Sequence, residues 1–102
     1  MELNISESIR RFIHAHVVAR LATADATGQP HVIPFCYAFD GASVYFIVDE
    51  KPKRQTGKPL MRIRNILANP HVAIVIDDYA DDWMQLAYVL ITGRASLVEM
   101  ED

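Results

Sequence analysis

Cysteine is all but missing from this chain of 102 residues. Cys36 stands alone, which excludes an internal disulfide and fits a reducing compartment. Long apolar runs are missing as well, and none approaches the roughly 18 residues that suggest a membrane-spanning helix. The N-terminal MELNISESIRR is polar and amphipathic and lacks a signal-peptide core. A cytoplasmic protein with no membrane partner is therefore expected. There is no G-x-S-x-G, no P-loop and no G-x-G-x-x-G, so no familiar nucleophile or nucleotide motif is present. Internal repeats and linkers are absent, and residues 1–102 read as a single domain.

Metal-ligand spacing is also lacking. His14 and His16 lie two apart on an expected helix and point to different faces, while His31 and His71 each begin a strand. Asp77, Asp78, Asp81 and Asp82 do not match a calcium loop, because no glycine or distal Glu follows, and a solvated acidic loop is expected. Cys36 sits on an apolar strand and reads as a small core residue rather than a nucleophile. No catalytic dyad emerges, so any hard chemistry would belong to a bound cofactor.

What the chain does have is a core and a concentrated charge. Apolar residues make up 51% and charged residues 23%, the ordinary globular range. The net charge is −3, which weighs against nucleic acid as a partner. Yet Lys51, Lys53, Arg54, Lys58, Arg62 and Arg64 fall within one stretch that holds no acid. The stretch, KPKRQTGKPLMRIR, runs into an expected helix over about 59–68, with Pro59 as its first residue. Cations beside unsatisfied helix N–H groups make a ready anion site. A solvated basic loop is the other reading of the same residues.

Periodicity supplies the remaining elements. Ile5, Ile9, Phe12 and Ile13 recur at helical spacing with Ser6 as N-cap, giving a helix over 6–16. HVVARLAT (16–23), HVIPFCYAF (31–39), ASVYFIVD (42–49) and HVAIVID (71–77) read as strands. DATGQP (25–30) is a turn, and Asp40-Gly41 joins strands two and three as a hairpin. Residues 84–98 read as a long strand, or a pair bent near Gly93, apolar enough to be covered by a second copy of the chain. Pro34 inside strand two suggests an edge or a bulge opening towards a ligand. In the second helix Leu60, Ile63, Ile66 and Leu67 are expected on one face, with Arg62 and Asn65 together on the other side. Trp83 is open to three uses: core, interface or planar ligand. Such antiparallel strands with short helices would close into a small barrel.

The ordered series ARLATAD, GQPHVIPFCYAFDG, VYFIVDEKPK and R-x-R-N-x-x-x-N-P resembles the pyridoxamine 5′-phosphate oxidase-related split barrels. Over roughly residues 10–98 it is similar to the deazaflavin (coenzyme F420)-dependent branch. The resemblance implies a mainly β fold, a six-stranded antiparallel split barrel of the FMN-binding type. It implies a homodimer holding FMN or the deazaflavin in clefts between subunits. Carried onto this sequence, Lys53 would meet the cofactor phosphate with Lys51 and Arg54 beside it, and Arg62 would supply a second cation. Asn65, lying with Arg62, would also contact and anchor the cofactor, His31, Ile33 and Pro34 would line the ring, and Val48 and Asp49 would end the pocket. Trp83 would approach from the interface.

Two departures accompany the resemblance. The loop between Lys53 and Arg62 is longer than in plain FMN oxidases. The family's C-terminal helix and last strand are not expected within this chain, which makes pyridoxamine oxidation itself an unexpected activity. A flavin- or deazaflavin-dependent oxidoreductase acting on a small conjugated substrate is the leading expectation. A non-catalytic module that stores or senses flavin, haem or another ligand is the alternative. A structural dimer without a ligand is a third reading, and it leaves the basic stretch unexplained.

Overall fold

The computed structural model describes residues 5–46, 60–79 and 81–98, with the backbone alone at Trp83. Helix α1 (Glu7–Ala15) begins where Ser6 Oγ accepts from the Ile9 amide at 3.3 Å, with Glu7 in the first turn. That is the N-cap and helix-dipole pairing that the sequence signals. The helix buries Ile13, with Ile5 and Phe12 packed around the same core.

Strand β1 (Val18–Ala24) alternates strictly. Ala19, Leu21 and Thr23 are buried and Arg20 faces out, as a strand covered on one side requires. Asp25 then closes a tight turn. Its Oδ1 accepts from the Thr27 amide and hydroxyl and from the Gln29 amide at 2.7–2.9 Å, and Gly28 takes φ 93°. These bonds hold the Asp25 carboxyl below its usual range, the Thr27 hydroxyl contributing most. Strand β2 (Pro30–Cys36) pairs antiparallel with β1 from Ala24↔Pro30 to Val18↔Cys36.

The expected second strand stops early. Tyr37 leaves the ladder, donates its amide to Val17 and buries its ring, and its hydroxyl donates to the Ile13 carbonyl at 2.7 Å. A two-stranded hairpin follows, β3 (Ala38–Phe39) with β4 (Val44–Tyr45). At its tip Asp40 Oδ1 accepts from the Ala42 and Ser43 amides, and Gly41 takes φ 95°. Strand three therefore pairs with the end of the expected strand two, as the Asp-Gly signal implies. Its continuation beyond Phe46 lies outside the described residues.

Helix α2 (Met61–Ala68), β5 (His71–Asp78), a 3₁₀ turn (Trp83–Gln85) and β6 (Ala87–Arg94) complete the chain. The main sheet has the order β2-β1-β5-β6, antiparallel throughout. Pro34 sits on the edge strand β2, where a missing N–H costs no ladder bond, and the register runs past it without a bulge. Gly93 produces no bend, since it pairs with Val72 inside a continuous ladder. The single strand β6 thus replaces the bent pair that the sequence left open. Mainly β with two short helices is the architecture.

One face of the sheet carries the core: Ile13, Ala19, Leu21, Tyr37, Ile74 and Ile76, with Phe35 and Phe46 edge-to-face at 5.1 Å beside them. Among the described residues nothing covers the other face. Leu90 is 59% exposed and Tyr88 70%, with Val18 and Val32 exposed as well. Among the described residues no helix is long and apolar enough to cross a membrane.

Helix α1 is tied to the far end of β5 through His16. Nδ1 lies 2.7 Å from the Phe12 carbonyl, which can only accept, and Nε2 lies 2.7 Å from Asp78 Oδ1. Both ring nitrogens face acceptors, so the imidazolium suits the site. The Asp78 hydrogen bond, then the Phe12 carbonyl, raise its pKa above the ordinary value. A raised folded pKa stabilises the fold below the unfolded value, and that contribution is lost as pH rises through the folded one. The thermal-midpoint gap between wild type and His16→Asn is expected to be full at about pH 5.5 and to close towards about pH 9. A gap unchanged across that range contradicts the assignment.

Candidate functional site

The sequence places its candidate site around the basic stretch and strand two, and the described residues build part of it. Val48, Asp49, Lys51, Lys53 and Arg54 lie outside them. Trp83 opens the 3₁₀ turn before β6. His31, Ile33, Pro34, Arg62 and Asn65 are described in full.

Strand alternation separates the β2 residues. His31 and Ile33 turn towards the core side, opposite Thr23 and Leu21 of β1, and Ile33 packs against the core cluster. Pro34, opposite Arg20, turns to the uncovered face. The three were expected to line one ring. A period of two prevents adjacent residues from sharing a sheet face, so Pro34 is separated from the other two.

Helix α2 is rotated from the expected wheel. Ile63 and Ile66 are buried as expected, but Leu67 is 67% exposed and Asn65 only 3%. Asn65 is inward because it has a partner there. Its Nδ2 donates to Thr23 Oγ1 at 3.0 Å, a bond between α2 and β1 that satisfies two buried polar groups at once. Sequence reasoning missed Thr23, and its signal was a hydroxyl at an inward position of an otherwise apolar alternation. Arg62, expected beside Asn65 on an outward face, is half-buried.

Polar atoms collect around this bond. His31 is the register partner of Thr23, and Arg62 lies three residues before Asn65 on α2, the spacing that makes helix neighbours. His31 Nδ1 and Arg62 Nε are both buried without a hydrogen-bond partner among the described residues. A buried polar atom left unpaired is costly, the more so on a cation, unless another group meets it. Leu60 caps α2 with its backbone alone, its carbonyl accepting from the Ile63 and Arg64 amides at 3.0 Å. Among the described residues no side chain caps the first turn, so its leading N–H groups have no side-chain acceptor there. An anion near Arg62 suits this arrangement, and a neutral apolar ligand does not.

The uncovered sheet face holds two open depressions. One, of about 490 Å³, is lined by Arg20, Val75, Asp77, Leu86 and Tyr88, with Arg20 Nη1 2.9 Å from Asp77 Oδ1. The other, of about 560 Å³, runs past Pro30, His71, Ala73, Thr92 and Arg94. Neither is closed, and both lie on the face that carries Leu90, Tyr88 and Pro34. Among the described residues no cluster of three or more His, Cys, Asp or Glu is placed to hold a metal ion.

Residues 5–102 match the family described as pyridoxamine 5′-phosphate oxidase. The chain belongs to that family. Among solved structures, it is similar to the haem storage protein HutZ of Vibrio cholerae, with 22% identity and a TM-score of 0.70, covering 100% of this chain and 67% of that one. It is similar to a conserved hypothetical protein of Mycobacterium tuberculosis at 29% identity and TM-score 0.71, over 97% of this chain and 57% of that one. It is also similar to a FAD-binding protein of Mesorhizobium loti at 28% identity and TM-score 0.67, over 94% and 63%. The chain thus spans between about 57% and 67% of those chains' lengths. No curated protein matches it. The sheet, hairpin and two helices are those of this family's split-barrel fold.

Proposed function

We propose that the protein is a flavin- or deazaflavin-dependent oxidoreductase that works as a homodimer. The observation that carries this reading is the pair His31 Nδ1 and Arg62 Nε, both buried and without a partner among the described residues, His31 paired in register with Thr23 and Arg62 one helical turn from Asn65. They fit a ligand that brings a phosphate to the start of α2 and a polar ring edge towards β2. Membership of the pyridoxamine 5′-phosphate oxidase family and the likeness to a FAD-binding protein support a flavin-type cofactor, FMN or coenzyme F420.

Such a cofactor, when bound, supplies hydride exchange with a small conjugated substrate. The chain's own residues bind and orient it. Arg62 and, from the basic stretch, Lys53 meet the phosphate, with Lys51 and Arg54 adding to the local positive potential. His31 faces the ring. A second copy of the chain covers the open sheet face, excludes water and turns the depressions there into clefts. A non-catalytic module that stores or senses flavin, haem or another ligand is the competing reading, supported by the lack of an acid–base pair in the sequence. Reduction of the loaded protein by a donor, followed by reoxidation with candidate substrates, separates the two.

Lys53→Ala with Arg62→Ala is expected to weaken FMN or F420 affinity about a hundredfold or more, since two charge-assisted contacts are lost. Isothermal titration with an unchanged Kd in a folded double variant contradicts the assignment. Leu90→Glu places a charge on the open face, midway along the edge strand β6. It is expected to convert a dimer to a folded monomer by light scattering, and an unaltered dimer mass contradicts the proposed interface.

A further inference from the structure

Among the described residues, the buried polar side chains are Thr23, 4% exposed, and Asn65, 3% exposed. They bond to each other across 42 positions of sequence, joining β1, an inner strand of the sheet, to α2. An apolar pair of the same shape would hold the two elements about as firmly, so stability alone gives little reason for the polar one. What a hydrogen bond adds is direction. The apolar contacts of Ile63 and Ile66 are non-directional and tolerate rotation of a short helix about its axis. A hydrogen bond weakens steeply with angle and so selects one rotation. Helix α2 is two turns long, has no side-chain cap and has no other side-chain bond to the sheet among the described residues.

The rotation it selects decides where Arg62 lies. Asn65 is one turn along α2 from Arg62, and Thr23 is the register partner of His31. Each member of the bonded pair therefore neighbours one of the two residues whose polar atoms are buried without a partner among the described residues.

We propose that the Thr23–Asn65 hydrogen bond is the positioning element of the cofactor site. It holds α2 in the one rotation that aims the Arg62 guanidinium at the cofactor phosphate. The inference rests on the reading of the site as one for a phosphate-bearing cofactor. Neither Thr23 nor Asn65 touches the cofactor in this account, so Asn65 passes from the direct contact implied by resemblance to a residue acting through Arg62.

The test measures affinity for two matched pairs of probes. These are FMN against riboflavin, and coenzyme F420 against its phosphate-free deazaflavin core. Thr23→Val with Asn65→Leu replaces both partners by apolar groups, which keeps the fold. Thr23→Ala makes the same comparison should that double variant fail to fold. The expected result is a preference for the phosphorylated probe that drops about tenfold or more in the variant, with affinity for the phosphate-free probe within about twofold of wild type. Thr23→Ser, which keeps the hydroxyl, is expected to retain the preference. A folded variant that keeps the wild-type preference overturns the inference and leaves the site reading standing. A wild type that prefers the phosphorylated member of neither pair overturns both.

Discussion

The two-residue alternation of β1 is the constraint on which the rest of the structure depends. β1 is paired on both sides, by β2 and by β5, so its register decides which residues of three strands face the core. With Ala19, Leu21 and Thr23 inward, Ile33 and Phe35 of β2 and Ile74 and Ile76 of β5 must also be inward. A one-residue slip would put Arg20 into the core and Leu21 into water, at a cost of several kcal/mol for the unpaired buried cation alone. The same alternation sets Thr23 where α2 can reach it.

From that placement the functional features follow. The core side closes over Ile13, Tyr37 and the β3–β4 hairpin, and it carries polar groups at the end where Thr23, His31 and α2 meet. The other side keeps its apolar residues exposed. One sheet thus presents an anion-suited polar corner on one face and, on the other, an exposed apolar surface.

Much of the fold was legible because local signals agreed. The Ser6 cap, the Asp25–Gly28 turn, the Asp40-Gly41 tip and the β-branched runs each fell on the element they indicate. The misreadings share a cause. Leu67 looked like a core residue and Asn65 like a surface one, because a helical wheel ranks residues by hydropathy and cannot see a partner on another element. The resemblance groups Pro34 with Ile33, and alternation sets the two on opposite faces of the sheet. Tyr37 ends β2 for a tertiary reason, a buried hydroxyl bonded to Ile13, that no local pattern carries. At the site, the charge run and His31 stood out in the sequence, while Thr23 did not, because its role depends on a residue 42 positions away.

The account turns on one atom, Arg62 Nε, buried and without a partner among the described residues. Side-chain NMR of isotope-labelled protein during titration with FMN or coenzyme F420 observes that N–H group directly. The account predicts a stoichiometric downfield shift of the Nε–H proton and slowed exchange with solvent, as a phosphate oxygen becomes its acceptor. A cofactor that binds while the Arg62 signal stays where it was would contradict it.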